Sequence, residues 1–100
     1  MYILNTTFAV EDSALEPWSK FLSETLIPEL QGLEFCNVKL YEILSSDNEE
    51  MHSLALHCEH KNLDAISLWL KEGEKRMKQS LAQLFGERVL IFSTVMNQIF

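Results

Sequence analysis

The hydrophobic pattern of the chain divides it into four strand-like runs and two helical stretches. Strand-like runs rich in β-branched and aromatic residues occupy Tyr2 to Val10, Glu34 to Leu44, Met51 to His60 and Glu87 to Asn97. Apolar residues recur at three- and four-residue steps in the two intervals that follow the first and third runs. The predicted order of elements is therefore βαββαβ, which is an α+β arrangement.

The first helical stretch follows the acidic cluster that ends the first strand. Its apolar stripe consists of Leu15, Trp18, Leu22 and Leu26. Since proline is tolerated in the first turn of a helix, Pro17 predicts that the helix begins at or just after Ser13. Pro28 lacks the N–H that a helix interior needs, so it is expected to kink or end the helix near Ile27, with a further turn that stops at Gly32.

The second helical stretch begins after Asn62, a residue type that caps helices well. One face carries Leu63, Ile66, Leu70, Gly73, Met77, Leu81 and Leu84. Gly73 interrupts this stripe and predicts a close contact or a bend, because glycine weakens a helix interior. The pair Glu74 and Lys78 is expected on the solvent side. Gly86 is expected to end the helix.

The polar segment Ser45 to Glu50 predicts a hairpin between the second and third strands. A three-residue loop over Ser46 to Asn48 is the expected turn, because no glycine is available for a two-residue turn. The register that follows from this loop places Cys36 opposite Cys58.

Side chains alternate between the two faces of a sheet, so each strand offers one set to the helices and one set to the other side. The sets expected on the helix side are Leu4, Phe8, Val10, Cys36, Val38, Leu40, Leu44, Leu54, Leu56, Cys58, Leu90, Phe92 and Met96. The sets expected on the other side are Ile3, Asn5, Thr7, Ala9, Phe35, Asn37, Lys39, Tyr41, Ile43, Ala55, His57, Val89, Ile91, Ser93 and Val95. This second face is too apolar for bulk water, and large apolar patches usually mark interfaces. The pattern predicts a homodimer that forms through the sheet faces.

Composition narrows the classes of partner. A chain of 100 residues is expected to form a single domain over residues 1–100. The formal net charge is −7, and the 8 Lys and Arg residues are dispersed, so a nucleic-acid partner is not expected. The uncharged run Val89 to Phe100 is too short to span a membrane, and Met1 leads directly into a strand with no signal segment. We expect a cytoplasmic protein without a membrane partner.

Several segments together resemble a family of small bacterial proteins known only as a domain of unknown function. They are the opening MYILNTTF, Trp18, the sequence Ile27-Pro28-Glu29 and the closing ERVLIFSTVMNQI. The resemblance implies a ferredoxin-like fold, with a four-stranded antiparallel sheet and two helices on one face, related to the dimeric α+β barrels. Some members of that superfamily are monooxygenases, haem-degrading enzymes or lactone isomerases.

The chain departs from the family pattern at two places. The pattern has a histidine before the Ile-Pro-Glu segment and a His-Ala-Pro stretch within the second helix. Leu26 and the Gly73-Glu74 region occupy these places here. If those histidines carry chemistry in relatives, this chain lacks it.

Two groups of residues are candidates for chemistry. Cys36, Cys58 and His60 share one predicted face, where a metal site or a cross-strand disulfide are alternatives to the expected pair of reduced core cysteines; we expect no metal. Asn5, Tyr41 and His57 share the opposite face, where a dimer would enclose them. Histidine can act as a general base, and tyrosine and asparagine can orient a carbonyl, so these three are the candidate ligand-binding residues. Hydrogen bonding within the interface is the alternative role.

No recognised catalytic or cofactor motif is present. The three glycines are isolated, which leaves no phosphate-binding loop, and no serine lies in a nucleophile-elbow context. We expect a homodimer without a cofactor that acts by binding or assembly. The alternatives are a cofactor-independent small-molecule enzyme of the oxygenase or isomerase type, and an acidic adaptor that offers its sheet face to another protein.

Overall fold

The computed structural model of the protein describes residues 1–44 and 50–100 and contains a four-stranded antiparallel sheet. The strands are β1 (Tyr2–Glu11), β2 (Cys36–Ile43), β3 (Met51–His60) and β4 (Val89–Asn97), in the order β2-β3-β1-β4. These bounds confirm the four predicted strands. The predicted loop over Ser46 to Asn48 lies outside the described residues.

Two helices pack on one face of the sheet, and each contains a wider π-helical turn at its middle. Helix α1 consists of Leu15–Phe21, the π turn Leu22–Leu26 and Ile27–Gly32. Helix α2 consists of Leu63–Leu68, the π turn Trp69–Gly73 and Glu74–Phe85. This βαββαβ arrangement is the ferredoxin-like fold.

Pro28 does not end α1, so of the two predicted outcomes near Ile27, a kink or an end, the end does not occur. The further turn that stops at Gly32 is confirmed. The helix continues because the π turn precedes the proline: the Ile27 N–H bonds to the carbonyl of Leu22, five residues back. A regular helix would bring the carbonyl four residues before Pro28 against its ring. The wider turn moves that carbonyl aside, so the helix reaches Gly32 with Pro28 in its interior.

The ends of α2 follow the predicted signals. Asn62 Oδ1 accepts a hydrogen bond from the Asp64 backbone N–H at 2.9 Å, which is the N-cap interaction. Gly86 follows the last helical residue with a φ of 59°, a backbone conformation that favours glycine. Both helix limits are therefore set by local chemistry.

The core lies between the helices and the even-numbered residues of β1 and β3. Leu4, Phe8 and Val10 of β1 and Leu56 and Cys58 of β3 are buried there, which confirms the predicted helix side of these two strands. The Trp18 ring packs edge-on against the Phe8 ring with centroids 5.1 Å apart. Trp18 and Trp69 are both core residues.

The fourth strand presents the opposite face from the predicted one. The β1–β4 ladder pairs Leu4 with Val95, so the odd-numbered residues of β4 face the helices. The prediction that Leu90, Phe92 and Met96 face the helices is wrong, and all three are exposed on the other side. Both alternating sets of β4 side chains are largely apolar, so the sequence pattern does not predict which set faces the helices. The register of β4 with β1 determines it.

The beginning of β2 also differs from the prediction. A bulge between Cys36 and Lys39 shifts the ladder, so Cys36 lies opposite Glu59 instead of Cys58. Phe35, expected on the open side, is buried in the core against the rings of His60 and Trp69. Beyond the bulge, the odd-numbered residues of β2 lie on the side away from the helices, as predicted.

The two cysteines are consequently free and in different environments. Cys36 is exposed on an outer strand, whereas Cys58 is buried. Burial, and secondarily the proximity of Cys36, raises the pKa of the Cys58 thiol to about 12. The predicted pairing of the two side chains across the hairpin is therefore wrong.

Gly73 lies beneath the Trp69 indole in the π turn of α2. A β-carbon at position 73 would overlap the six-membered ring of Trp69, which is itself buried in the core. The position therefore excludes any side chain. Gly32, at the end of α1, has open space where its β-carbon would be.

We expect Gly73→Ala to lower the free energy of unfolding by about 1–3 kcal/mol, the usual cost of overpacking a core. Helix propensity alone would favour Ala by about 1 kcal/mol, so the sign of the change reports the contact with Trp69. Urea denaturation measures the effect, with Gly32→Ala as the matched control that should change stability little. A Gly73→Ala protein as stable as the wild type would contradict the contact.

We expect only one thiol of the native protein to react quickly with Ellman's reagent at pH 8. Cys36 should react and Cys58 should not, because a buried thiol with a raised pKa yields little thiolate. Cys36→Ser should abolish the fast reaction, whereas Cys58→Ser should leave it unchanged. Two fast thiols in the folded wild type would be incompatible with this arrangement.

Candidate functional site: the open face of the sheet

The face of the sheet opposite the helices, called here the open face, collects alternate residues from all four strands. Its members include Ile3, Asn5, Thr7 and Ala9 from β1, Lys39, Tyr41 and Ile43 from β2, Ser53, Ala55, His57 and Glu59 from β3, and Leu90, Phe92, Thr94 and Met96 from β4. The two helices cover the other side, so large apolar side chains on this side meet solvent.

Apolar exposure is greatest along the two margins of the open face. On β4, Phe92 is 62% exposed and Leu90 is 59% exposed. On β2, Tyr41 is 47% exposed and Ile43 is 45% exposed. Burying one such side chain fully is worth about 1.5–3 kcal/mol. A surface that covered both margins at once would therefore gain several such contributions.

The open face brings the three predicted ligand-binding residues together across β1, β3 and β2. Asn5 and His57 are direct partners in the β1–β3 ladder. Tyr41 lies one step away on β2, and its ring contacts the His57 ring edge-on with centroids 5.0 Å apart. An amide, an imidazole and a phenol thus form one polar row across three strands. Their role in binding a ligand stays a prediction.

Asn5 is incompletely hydrogen-bonded. Its Nδ2 donates to Thr7 Oγ1 at 3.3 Å, while its Oδ1 is shielded from solvent and has no partner within residues 1–44 and 50–100. An unsatisfied buried polar atom costs about 1–3 kcal/mol. Valine or threonine would fit a central strand without this cost. The asparagine is therefore a residue that strand stability alone does not explain.

Few charged groups of the described part of the chain lie near this row. Lys39 is the β2 partner of His57, and Glu59 is the next residue of β3 on the same face. The two ion pairs among the described residues, His52 with Asp12 and Arg76 with Glu29, involve residues outside this row. The row can donate and accept hydrogen bonds within a largely apolar setting, which suits a small polar molecule or a matching surface.

The helix side of the sheet contains a buried polar chain that the sequence pattern missed. Ser93 Oγ donates to Glu74 Oε1 at 2.7 Å and lies 2.9 Å from Thr6 Oγ1. Glu74 is only 7% exposed, so the prediction of a solvent-exposed pair with Lys78 is wrong. The spacing along α2 could have predicted this burial. Glu74 is four residues after Leu70 and three before Met77, and both of these residues lie on the apolar stripe of the helix.

The predicted cluster of Cys36, Cys58 and His60 is not assembled. The three residues do not meet on one face, and among residues 1–44 and 50–100 no group of His, Cys, Asp and Glu is placed to hold a metal. His60 instead has a structural role. Its Nδ1 accepts from the Asn62 N–H at 2.9 Å, so its Nε2 is the donor to the Leu33 carbonyl at 3.2 Å.

Surface depressions of the described residues lie away from the open-face row, including one of about 440 Å³ beside Asp12 and Met51 at the end of β1 and the start of β3. One of about 260 Å³ is lined by α2 and β4 residues around Leu81 and Val89. Another of about 190 Å³ lies between α2 and Leu33, beside Trp69 and Arg76. None of these three includes Asn5, Tyr41 or His57. No helix in the described part of the chain is long and apolar enough to cross a membrane.

Solved structures of several proteins are similar to this fold. A dimeric ferredoxin-like protein from an uncultured marine organism is 16% identical, with a TM-score of 0.59 over 100% of this chain and 98% of that chain. A second such dimeric protein, also from an uncultured marine organism, is 10% identical, with a TM-score of 0.59 over 99% of this chain and 96% of that chain.

A protein from Bacillus cereus described as a candidate antibiotic biosynthesis monooxygenase is 15% identical, with a TM-score of 0.56 over 99% of this chain and 93% of that chain. At these identities the likeness concerns the fold. No curated protein matches the sequence. The model of one family, however, matches residues 1–99. The chain therefore belongs to the family described as Domain of unknown function (DUF4286).

Proposed function

We propose that the chain is a single-domain homodimeric protein of the cytoplasm that acts by binding or assembly through its open face. The observation that carries the proposal is the exposure of Phe92, Leu90, Tyr41 and Ile43 on a sheet face that neither of the two described helices covers. A second copy can cover both apolar margins at once. The proposed dimer packs the two sheets face to face, as in an α+β barrel.

The size of the open face supports this proposal. Its four strands contain 8 to 10 residues each. At a rise of about 3.3 Å per residue and a spacing of about 4.8 Å between strands, the sheet is roughly 30 Å long and about 19 Å wide. Stable interfaces bury about 800 Å² of accessible surface per partner, and the side chains that project from a face of this size offer an accessible area of that order. Two of the similar structures are themselves described as dimeric.

We expect the wild-type protein to have a dimeric mass at micromolar concentration, and Phe92→Asp to weaken the dimer. Replacing a large aromatic side chain of the apolar margin by a charge should cost at least about 2 kcal/mol, which corresponds to a roughly 30-fold higher dissociation constant. Sedimentation equilibrium measures both values.

Leu84→Asp is the matched control, because Leu84 is 57% exposed on α2 and lies outside the open face. It should leave the dissociation constant unchanged. A strictly monomeric wild type would contradict the proposed dimer, and equal weakening by both variants would contradict the choice of the open face.

A second candidate function is the binding of a small molecule inside the dimer. The observation that favours it is the row formed by Asn5, His57 and Tyr41, with the unsatisfied Asn5 amide at its β1 end. A flat sheet face cannot enclose a ligand, so the partner sheet would complete the cavity. A cofactor-independent enzyme of the oxygenase or isomerase type would use the same row, and the description of the Bacillus cereus protein is consistent with that chemistry.

If this second function is right, native mass spectrometry of dimer purified without denaturation should show a bound small molecule. Ala in place of His57 should reduce the bound fraction about tenfold or more, because it removes the central hydrogen-bonding group. His52→Ala is the control, since His52 contacts Asp12 away from the row. If the native spectrum gives a dimer mass equal to twice the chain mass found in the denaturing spectrum, no small molecule is bound. That result would contradict the second function.

A further inference from the structure

The free edge of β4 lacks the features by which proteins usually prevent another strand from pairing. Among residues 1–44 and 50–100, β4 is an outermost strand that bonds only to β1 within the sheet. Val89–Asn97 contains no charged residue, no proline and no glycine. Such an edge exposes a row of unpaired N–H and C=O groups, which is a template for an added strand.

The opposite edge of the same sheet is protected in several ways. β2 is interrupted by a bulge between Cys36 and Lys39. Asn37 within it has a φ of 50°, which is incompatible with a regular ladder at that point. Lys39 and Glu42 add charges of both signs along the strand. Because the chain protects one edge and not the other, we infer that the β4 edge is used for pairing.

Charge favours a second copy of this chain as the added strand. Each copy carries a formal net charge of −7, so most approaches of two copies bring like charges together. From Val89 to Phe100 the chain has no charged residue. Two β4 strands related by a twofold axis would therefore meet without like-charge repulsion along the strand, and each would offer the other the same surface.

The β4 edge is also continuous with the surface proposed for the dimer. Leu90 and Phe92 belong to the open face and lie along the same strand that carries the free edge. A contact that covers these side chains brings the backbone of β4 close to the partner. Hydrogen bonding between the two β4 edges and packing between the two open faces can then form together. The line along which the two sheets would join in such a barrel is called here the seam.

We propose that β4 of one copy pairs in antiparallel orientation with β4 of a second copy and joins the two sheets along one seam. The proposal rests on the homodimer proposed above and adds the strand that forms the seam. It predicts backbone hydrogen bonds between copies, which face packing alone does not require.

Amide hydrogen exchange measured by NMR tests the seam. A strand paired on one side only protects alternate amides, whereas a strand paired on both sides protects all of them. We expect the β4 amides that point away from β1 to exchange roughly 100-fold more slowly in the wild-type dimer than in Phe92→Asp diluted until it is monomeric. The amides that point toward β1 serve as the internal control in both samples.

Cysteine cross-linking in a Cys36→Ser background gives the register. Single cysteines introduced at Leu90, Phe92, Thr94 and Met96 should form disulfide-linked dimers with a maximum at one position. Tyr41→Cys, on the opposite margin of the same face, is the matched control and should cross-link at least tenfold less. Cys58 can stay in place because it is buried.

The outcomes separate this proposal from the one on which it rests. A dimeric mass with fast exchange of the outward β4 amides overturns the seam and leaves the face-to-face dimer standing. A monomeric mass overturns both. If the outward β4 amides become protected only after a different protein is added, that protein supplies the added strand. This result overturns the pairing between two copies of this chain.

Discussion

The register of β1 with its two neighbours is the constraint on which the rest of the structure depends. β1 is hydrogen-bonded to β3 on one side and to β4 on the other over almost its whole length. Side chains alternate strictly along a strand, so a shift of one residue in either ladder would move a whole set of side chains to the other face. The burial of Leu4, Phe8 and Val10 under the helices fixes the face of β1 and, through the two ladders, the faces of β3 and β4.

The helix layer adapts to this sheet through irregular turns. Each helix contains one π turn, and the two have different local causes: the first precedes Pro28, and the second contains Gly73 beneath the Trp69 ring. A π turn shifts the following residues around the helix axis. The shift after Gly73 accompanies the inward position of Glu74, whose carboxylate accepts a hydrogen bond from Ser93 between helix and sheet. In α2, the π turn and the buried Glu74 side chain are therefore adjacent in the chain.

Two helices can cover only one face of a four-stranded sheet, which is why the candidate site lies on the other face. The same ladder register that buries Val89 in the core leaves Leu90 and Phe92 exposed on the open face. It also places Asn5 opposite His57 in the middle of that face. In the proposed dimer, the apolar margins would supply the free energy for association, and the polar row would supply directional hydrogen bonds. A surface with both properties is suited to specific contact.

Much of this arrangement was determined locally. The Asn62 cap, the Gly86 termination, the alternation of β1 and β3 and the grouping of Asn5, Tyr41 and His57 on one face all follow from neighbouring residues and from strand periodicity. These features are predictable because each depends on contacts within one element or on a single clear alternation of apolar and polar side chains.

Only the tertiary structure decided the remainder. The face of β4 could not be predicted because both of its side-chain sets are apolar, and the pairing with β1 selects between them. The core position of Phe35 and the pairing of Cys36 with Glu59 instead of Cys58 depend on a bulge that changes the ladder without a clear sequence signal. The burial of Glu74 depends on a partner on β4 that is distant in sequence. The sequence by itself determined the elements and the existence of an uncovered face, and long-range register decided which side chains that face presents.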